Sequence, residues 1–297
     1  MMASFTSNRR FLASSVPSKP QTKLGSSEKP IMEALRKPYP DFCLRDKVYV
    51  VTGGGGGLGL VLAEAMMQGG AHVHCFDRLT HPGPNFVASH ELSKRYKGSL
   101  YYHQIDVRNQ EELDRTVADI ATSHNKIDGL VAAAGIQKIK EALHYTPAEA
   151  REMLDVNYTG VFMSANAVAR QMMARGTSGS IVFIASMSGL IANKGLHCPV
   201  YNSSKAAVIQ LTRNLAMEWS KHGIRVNSQC PGHILTPMVQ KNFEEVPGLR
   251  KLWEMENMLG RLATPDEFTG AIVFMLSSAS SFMTGSSLAI DGGHTAW

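Results

Sequence analysis

The sequence predicts an α/β fold, a doubly wound parallel sheet of seven strands in a single domain, and three observations predict it. The stretch from Val48 to Gly59 is a short β-branched run, Val48 to Val51, that passes straight into glycines and then into a helical pattern from Leu58 to Met67. Apolar runs of strand length alternate with helical segments along the rest of the chain. Those runs are apolar at consecutive rather than alternate positions, as strands are when helices cover both faces of a parallel sheet.

Backbone amides at a helix N-terminus attract anions, and glycine lets a pyrophosphate come close, so the turn after the first strand predicts a dinucleotide. Five consecutive glycines alone would suit a flexible linker equally well; the rest of the chain decides. Ala71 to Phe76 is a second strand that stops at Asp77, where a carboxylate meets an adenosine ribose and repels a 2′-phosphate. That favours NAD, whereas Arg78 beside it leaves NADP as the alternative, since a guanidinium can hold the extra phosphate.

Val87 to Tyr96 reads as a helix, Leu100 to Ile105 as a strand closed by Asp106, Glu111 to His124 as a helix, and Gly129 to Ala134 as a strand running into Gly135. Pro147 opens a helical pattern that continues to Met173, with Asn157 inside it, an amide that is costly in an apolar helix unless it is bonded. Ile181 to Ala185 is a fifth strand ending at Ser186. The helix Tyr201 to His222, the strand Ile224 to Gln229 broken by Pro231 and Gly232, the helix Pro265 to Met275 and the strand Ser287 to Ile290 complete the pattern. Residues 233–260 carry prolines, methionines and Trp253 with weak periodicity and read as a helical flap rather than core.

The formal charge of +5 is confined to one end. Residues 1–45 hold eight Lys/Arg and three Asp/Glu, leaving 22 of each sign in residues 46–297, so the body carries no basic face for nucleic acid. No stretch approaches the length of a membrane span. The first 45 residues, rich in Ser, Lys, Arg and Pro, read as a disordered or weakly ordered extension in a cytoplasmic protein. Arg9, Arg10, Phe11 and Leu12 with no acid before Glu28 leave a mitochondrial presequence as the alternative. Cys43, Cys75, Cys198 and Cys230 show no paired spacing and suggest neither a disulfide framework nor zinc. His72 and His74 share a strand face, but no third metal ligand is near in sequence.

Tyr201 and Lys205, four apart at a helix start, project from one face. An ammonium one turn from a phenol favours phenolate and brings a weak base toward neutral pH. The pair follows the strand-ending Ser186 in a chain with a dinucleotide turn. Together with Thr52-Gly53-x-x-x-Gly57-x-Gly59, Asp106, Ala133-Ala134-Gly135, Asn157 and Pro231-Gly232 with Thr236, this resembles the short-chain dehydrogenase/reductase family and its Rossmann-type fold, from about Lys47 to Gly293.

The resemblance implies an NAD(P)-dependent oxidoreductase interconverting a secondary alcohol and a ketone. It implies Tyr201 as general acid/base and Lys205 as the residue that lowers the Tyr201 pKa and binds the nicotinamide ribose. Ser186 would hold the substrate oxygen, with Ser188 the alternative, and Asn157 would place a relay water. Thr52, Gly53, Gly57, Leu58 and Gly59 would hold pyrophosphate, Asp77 and Arg78 the adenosine ribose, and Asp106 and Val107 the adenine. Ala134, Gly135, Pro231, Gly232, Ile234 and Thr236 would complete the cofactor groove. Where the family commonly has Asn-Asn-Ala-Gly, this chain has Ala132-Ala133-Ala134-Gly135, which removes an expected sheet contact.

The phrases around Gly135, Gly160 and Asn193 are similar to those of fungal-type polyol dehydrogenases and ketose reductases acting on sorbose, mannitol or arabinitol. Asn193, His197 and His233 are candidate hydroxyl partners. Met238, Trp253, Met255 and Met258 would instead suit a larger apolar ketone, as in natural-product pathways. A dinucleotide-binding scaffold without catalysis is a further alternative. The resemblance also implies a homotetramer that packs through the helices around Asn157 and Tyr201.

Overall fold

The structure, a computed structural model, describes residues 41–297, except the side chain of Met238. The expected extension lies outside the described residues as far as residue 40, and so does the presequence reading of it. In chain order the elements are β1 Val48–Thr52, α1 Gly57–Gln68, β2 His72–Asp77, α2 Pro84–Ser93, β3 Ser99–Gln104, α3 Gln110–Ser123 and β4 Gly129–Ala132. Then follow α4 Pro147–Leu154, α5 Val161–Ala174, β5 Gly179–Ile184, α6 Pro199–Trp219, β6 Ile224–Pro231, α7 Pro237–Glu245, α8 Leu249–Glu256, α9 Thr269–Leu276 and β7 Ser287–Ile290.

All seven strands are parallel, in the order β3-β2-β1-β4-β5-β6-β7. The order reverses at β1, which pairs with both β2 and β4, and a crevice for a ligand opens beyond their C-terminal ends. Successive residues of β1 feed opposite faces. Val48 and Val50 pack with Leu113, Val117, Val161, Val168 and Val208 of α3, α5 and α6, while Tyr49 and Val51 pack with Leu62, Met66 and Ile272 of α1 and α9. This two-sided burial is why the strands read as unbroken apolar runs.

The helical pattern from Pro147 to Met173 is not one regular helix. Between α4 and α5, residues Asp155–Gly160 widen into a π-helical turn that holds Asn157. A π turn pushes one residue out of the regular ladder and is costly unless that residue is bonded, which the Asn157 amide is, as described below. The flap also differs from expectation. Leu249 and Trp253 of α8 join Leu196, Cys198 and Leu262 in a third apolar cluster, with Trp253 only 1% exposed, so residues 233–260 share a small core with neighbouring stretches of chain.

At the β2–β3 edge, His103 and His124 join His72 and His74, a grouping that sequence spacing hid. His74 turns Nδ1 to His103 Nε2 at 2.9 Å and Nε2 to His124 Nε2 at 3.1 Å, so the rings form a chain and do not converge on one point. Burial, and then the neighbouring imidazoles, lower the His74 pKa from 6.5 to about 3. The unfolded chain therefore binds a proton that the folded chain refuses, and stability is present above pH 6.5 and lost as pH falls below it. Thermal denaturation from pH 7 to pH 5 is expected to show falling stability. His74→Gln should flatten that slope by at most about 1.4 kcal/mol per pH unit.

Candidate active site

Gly53 begins the turn after β1 with φ +69°, in the left-handed region, and a Cβ there would lie 2.8 Å from the Ala134 Cα. A Cβ at Gly59 would lie 2.2 Å from the Gly53 carbonyl oxygen, closer than atoms can approach. No side chain caps α1, whose first residue is Gly57, so its leading amides are free to meet an anion. The turn is tied down by Gly53 N donating to Phe76 O at 2.7 Å and Gly55 N to Asp77 Oδ2 at 3.2 Å. Thr52 is buried and lines no part of the groove. Its Oγ1 accepts from Ala134 N at 3.3 Å, so it holds the post-β4 backbone where the family's asparagines are missing.

Two adjoining cavities follow the crevice. The first, about 180 Å³, is lined by Asp77, Arg78, Asp106, Val107 and Arg108 together with Gly53, Ala134 and Gly135. Asp106 receives Arg108 Nη2 at 2.6 Å, and this bond holds its carboxyl below the usual range. Arg108 was not foreseen, because nothing in its sequence neighbourhood marks it. The second cavity, about 370 Å³, is lined by Gly57, Leu58, Gly59, Ser186, Tyr201, Lys205, Pro231, Gly232, Ile234 and Thr236. Gly53, Asp77, Ala134 and Gly135 line both. Pro237 and Val239, at the start of α7, also line the second.

Tyr201 and Lys205 lie one turn apart on α6, and Lys205 Nζ is 5.6 Å from the Tyr201 ring centroid. Lys205 is 4% exposed, donates to Ile184 O at 2.8 Å, and has its pKa lowered by burial from 10.5 to about 8. The phenol of Tyr201 is pushed up to about 12 by burial, with the neighbouring Ser186 hydroxyl opposing the rise. Desolvation disfavours both charges, and of the two it is the lysine whose pKa moves toward neutrality. Ser186 ends β5 and its Oγ accepts from Ser188 N at 3.1 Å; Ser188 does not line the groove.

Asn157 is fully buried and lines neither cavity. Its Oδ1 accepts from Ile136 N at 2.8 Å, and its Nδ2 donates to Ile136 O at 2.9 Å and to Ser204 Oγ at 3.0 Å. Both amide hydrogens are therefore spent on fastening the stretch after β4 to α6.

A glycine turn without room for a Cβ at Gly53 or Gly59, a free helix N-terminus and a buried lysine beside a tyrosine suit a nicotinamide dinucleotide. A family model described as enoyl-(acyl carrier protein) reductase matches residues 54–295. The chain belongs to the short-chain dehydrogenase/reductase family. It is 40% identical over 292 residues to the short chain dehydrogenases/reductase notP′ of Aspergillus versicolor, covering 94% of this chain and all of that one. It is 36% identical over 269 residues to the ribulose-forming D-arabinitol 2-dehydrogenase of Candida albicans, covering 87% and 96% of the two chains. A gluconate 5-dehydrogenase from Burkholderia cenocepacia, solved with NADP and tartrate, superposes with a TM-score of 0.79 at 29% identity over 86% of this chain and 98% of that one. As a short-chain dehydrogenase/reductase, this chain is an NAD(P)-dependent oxidoreductase that interconverts a secondary alcohol and a ketone.

The substrate side of the site departs from expectation. Trp253 is core, and Met255 and Met258 are exposed, so none of the three lines the groove; Met238 has no described side chain. His233 is buried flat against Trp253, with ring centroids 3.5 Å apart, and burial lowers its pKa to about 3. His197 is exposed and takes part through its carbonyl, which accepts from Lys140 N at 2.7 Å.

Proposed function

We propose that this enzyme oxidises a polyol to a ketose, or the reverse, with Tyr201, Ser186 and Lys205 as its catalytic residues and NAD as its preferred cofactor. The observation that carries the chemistry is the half-buried Tyr201 beside the buried Lys205, with Ser186 opening into the same glycine-turn cavity. The dinucleotide supplies the hydride acceptor or donor; everything else is done by side chains. Ser186 donates to the substrate oxygen and stabilises the charge that grows on it. Tyr201 takes the hydroxyl proton in oxidation and returns it in reduction. Lys205 supplies the charge that lets the phenol release that proton, and Asn157 holds the post-β4 strand against α6.

Because Tyr201 stands near 12 and Lys205 near 8, the pair sheds its first proton at about pH 8. The resulting form is either a neutral lysine beside a phenol or an ammonium beside a phenolate, two tautomers of one charge. Oxidation needs that form, and reduction needs the protonated one. Alcohol oxidation is therefore expected to rise with pH through about 8 and ketone reduction to fall over the same range. Lys205→Met should erase this inflection in the pH–rate profile.

NAD is favoured because Asp77 is fixed at the ribose position by Gly55 N at 3.2 Å and Leu79 N at 3.3 Å, where its charge repels a 2′-phosphate. An apolar ketone is disfavoured because Trp253, the aromatic residue that suited it, is packed away from the groove. The D-arabinitol 2-dehydrogenase similarity points the same way. Turnover of a panel of polyols, ketoses and bulky ketones with NADH and NADPH and their oxidised forms tests both; faster turnover of a bulky ketone, or tighter use of NADPH, overturns the corresponding part.

A homotetramer is part of this reading, supported by a groove along α5 and α6 lined by Phe162, Leu211, Leu215 and Trp219. Sedimentation of the purified protein checks it. Among the described residues no helix is long and apolar enough to cross a membrane, which accords with a cytoplasmic enzyme.

A further inference from the structure

Three separate stretches meet beside the groove, which α7 borders through Pro237 and Val239: residues 136–140 after β4, residues 190–198 before α6, and the flap helices α7 and α8. They share the apolar cluster of Leu196, Cys198, Leu249, Trp253 and Leu262, against which Tyr201 itself packs. One polar side chain bridges all three stretches. Gln137 Oε1 accepts from Asn242 Nδ2 of α7 at 3.0 Å, and Gln137 Nε2 faces Cys198 Sγ at 3.9 Å. The Cys198 thiol donates to Asn202 Oδ1 at 3.1 Å, and Asn202 is the residue after Tyr201.

The direction of every bond in this chain follows from one backbone carbonyl. Ile191 O can only accept, so Asn202 must turn Nδ2 to it, at 3.2 Å, and its Oδ1 to Cys198. The thiol then donates to Asn202 and accepts from Gln137 Nε2, which leaves Gln137 Oε1 for Asn242. Asn242 is buried, and among the described residues no other side chain of α7 makes a hydrogen bond outside that helix and its cap. A buried amide without its partner is costly, while one in water is not. The contact therefore favours the seated position of the helix.

We propose that Gln137 is a positioning residue that latches the flap helix α7 over the groove and, through Cys198 and Asn202, ties it to the start of α6. It acts on capture of the alcohol or ketone and not on the proton transfer itself, and it rests on Tyr201 as the proton-transfer residue.

The test is a double-mutant cycle with Gln137→Ala and Asn242→Ala, together with the length-exchanging pair Gln137→Asn/Asn242→Gln. Each alanine variant is expected to raise KM for the alcohol about tenfold with kcat changed less than threefold. The double alanine variant should be no worse than either single one, and the exchanged pair should recover most of the loss. In the dinucleotide complex, tryptic cleavage after Lys241 or Arg250 should be faster in the alanine variants. Independent effects that multiply to about a hundredfold, or lowered thermal stability with unchanged KM and unchanged cleavage, would overturn the latch. Turnover surviving in Tyr201→Phe would bear on the catalytic assignment alone, because the cycle can be read in cleavage rates without turnover.

Discussion

Tyr201→Phe is expected to lower turnover about a thousandfold in both directions while leaving dinucleotide affinity within about threefold. The change removes one hydroxyl and keeps the ring, which packs against Leu196 and Cys198, so the fold has no reason to yield. What is lost is the hydroxyl beside Ser186 to which the proposed mechanism gives the proton exchange with the substrate oxygen. Single-turnover kinetics with preloaded dinucleotide separates the chemical step from binding. Alcohol oxidation at a tenth or more of the parent rate would show that the phenol is not the base.

Gly59→Ala is the second large effect, and it acts on binding and stability together. The added methyl would stand 2.2 Å from the Gly53 carbonyl oxygen and 2.8 Å from its carbon, both backbone, so the turn itself must open. A displacement of about an ångström moves the amides that face the pyrophosphate, and about a hundredfold weaker dinucleotide binding is expected. A stability loss of about 2–3 kcal/mol should accompany it, as for other forced backbone overlaps. Gly56→Ala is the control for stability: a Cβ there meets nothing within 4 Å and φ is −172°, extended backbone open to any residue. Calorimetric titration with NAD and thermal melts of both variants test the comparison. Equal melting temperatures for the two would show that the turn tolerates the methyl.

The sheet and the cofactor turn were legible in the sequence because the information is local. Val48 to Val51, Ile181 to Ala185 and Ile224 to Gln229 announce strands by their own composition, and each was placed within two residues of where the structure has it. The site's membership was legible for the same reason: Tyr201 and Lys205 are one turn apart on one helix, and the glycines are consecutive. The alternation of polar and apolar residues could not reveal that Trp253 is core, since its partners Leu196 and Leu262 belong to other stretches of chain. Nor could spacing reveal that His103 and His124 complete a chain with His74, or that Arg108 occupies Asp106.

By itself, then, the sequence determined the order of strands and helices, the glycine turn after the first strand and which residues are candidates for proton transfer, all of which depend on neighbours within a few positions. Tertiary structure alone decided how those residues are tuned. Burial sets Lys205 near 8 and Tyr201 near 12, and the Asn157 amide is consumed by Ile136 and Ser204. Desolvation and long-range hydrogen bonds depend on what the rest of the chain brings alongside, and no stretch of sequence carries that information on its own.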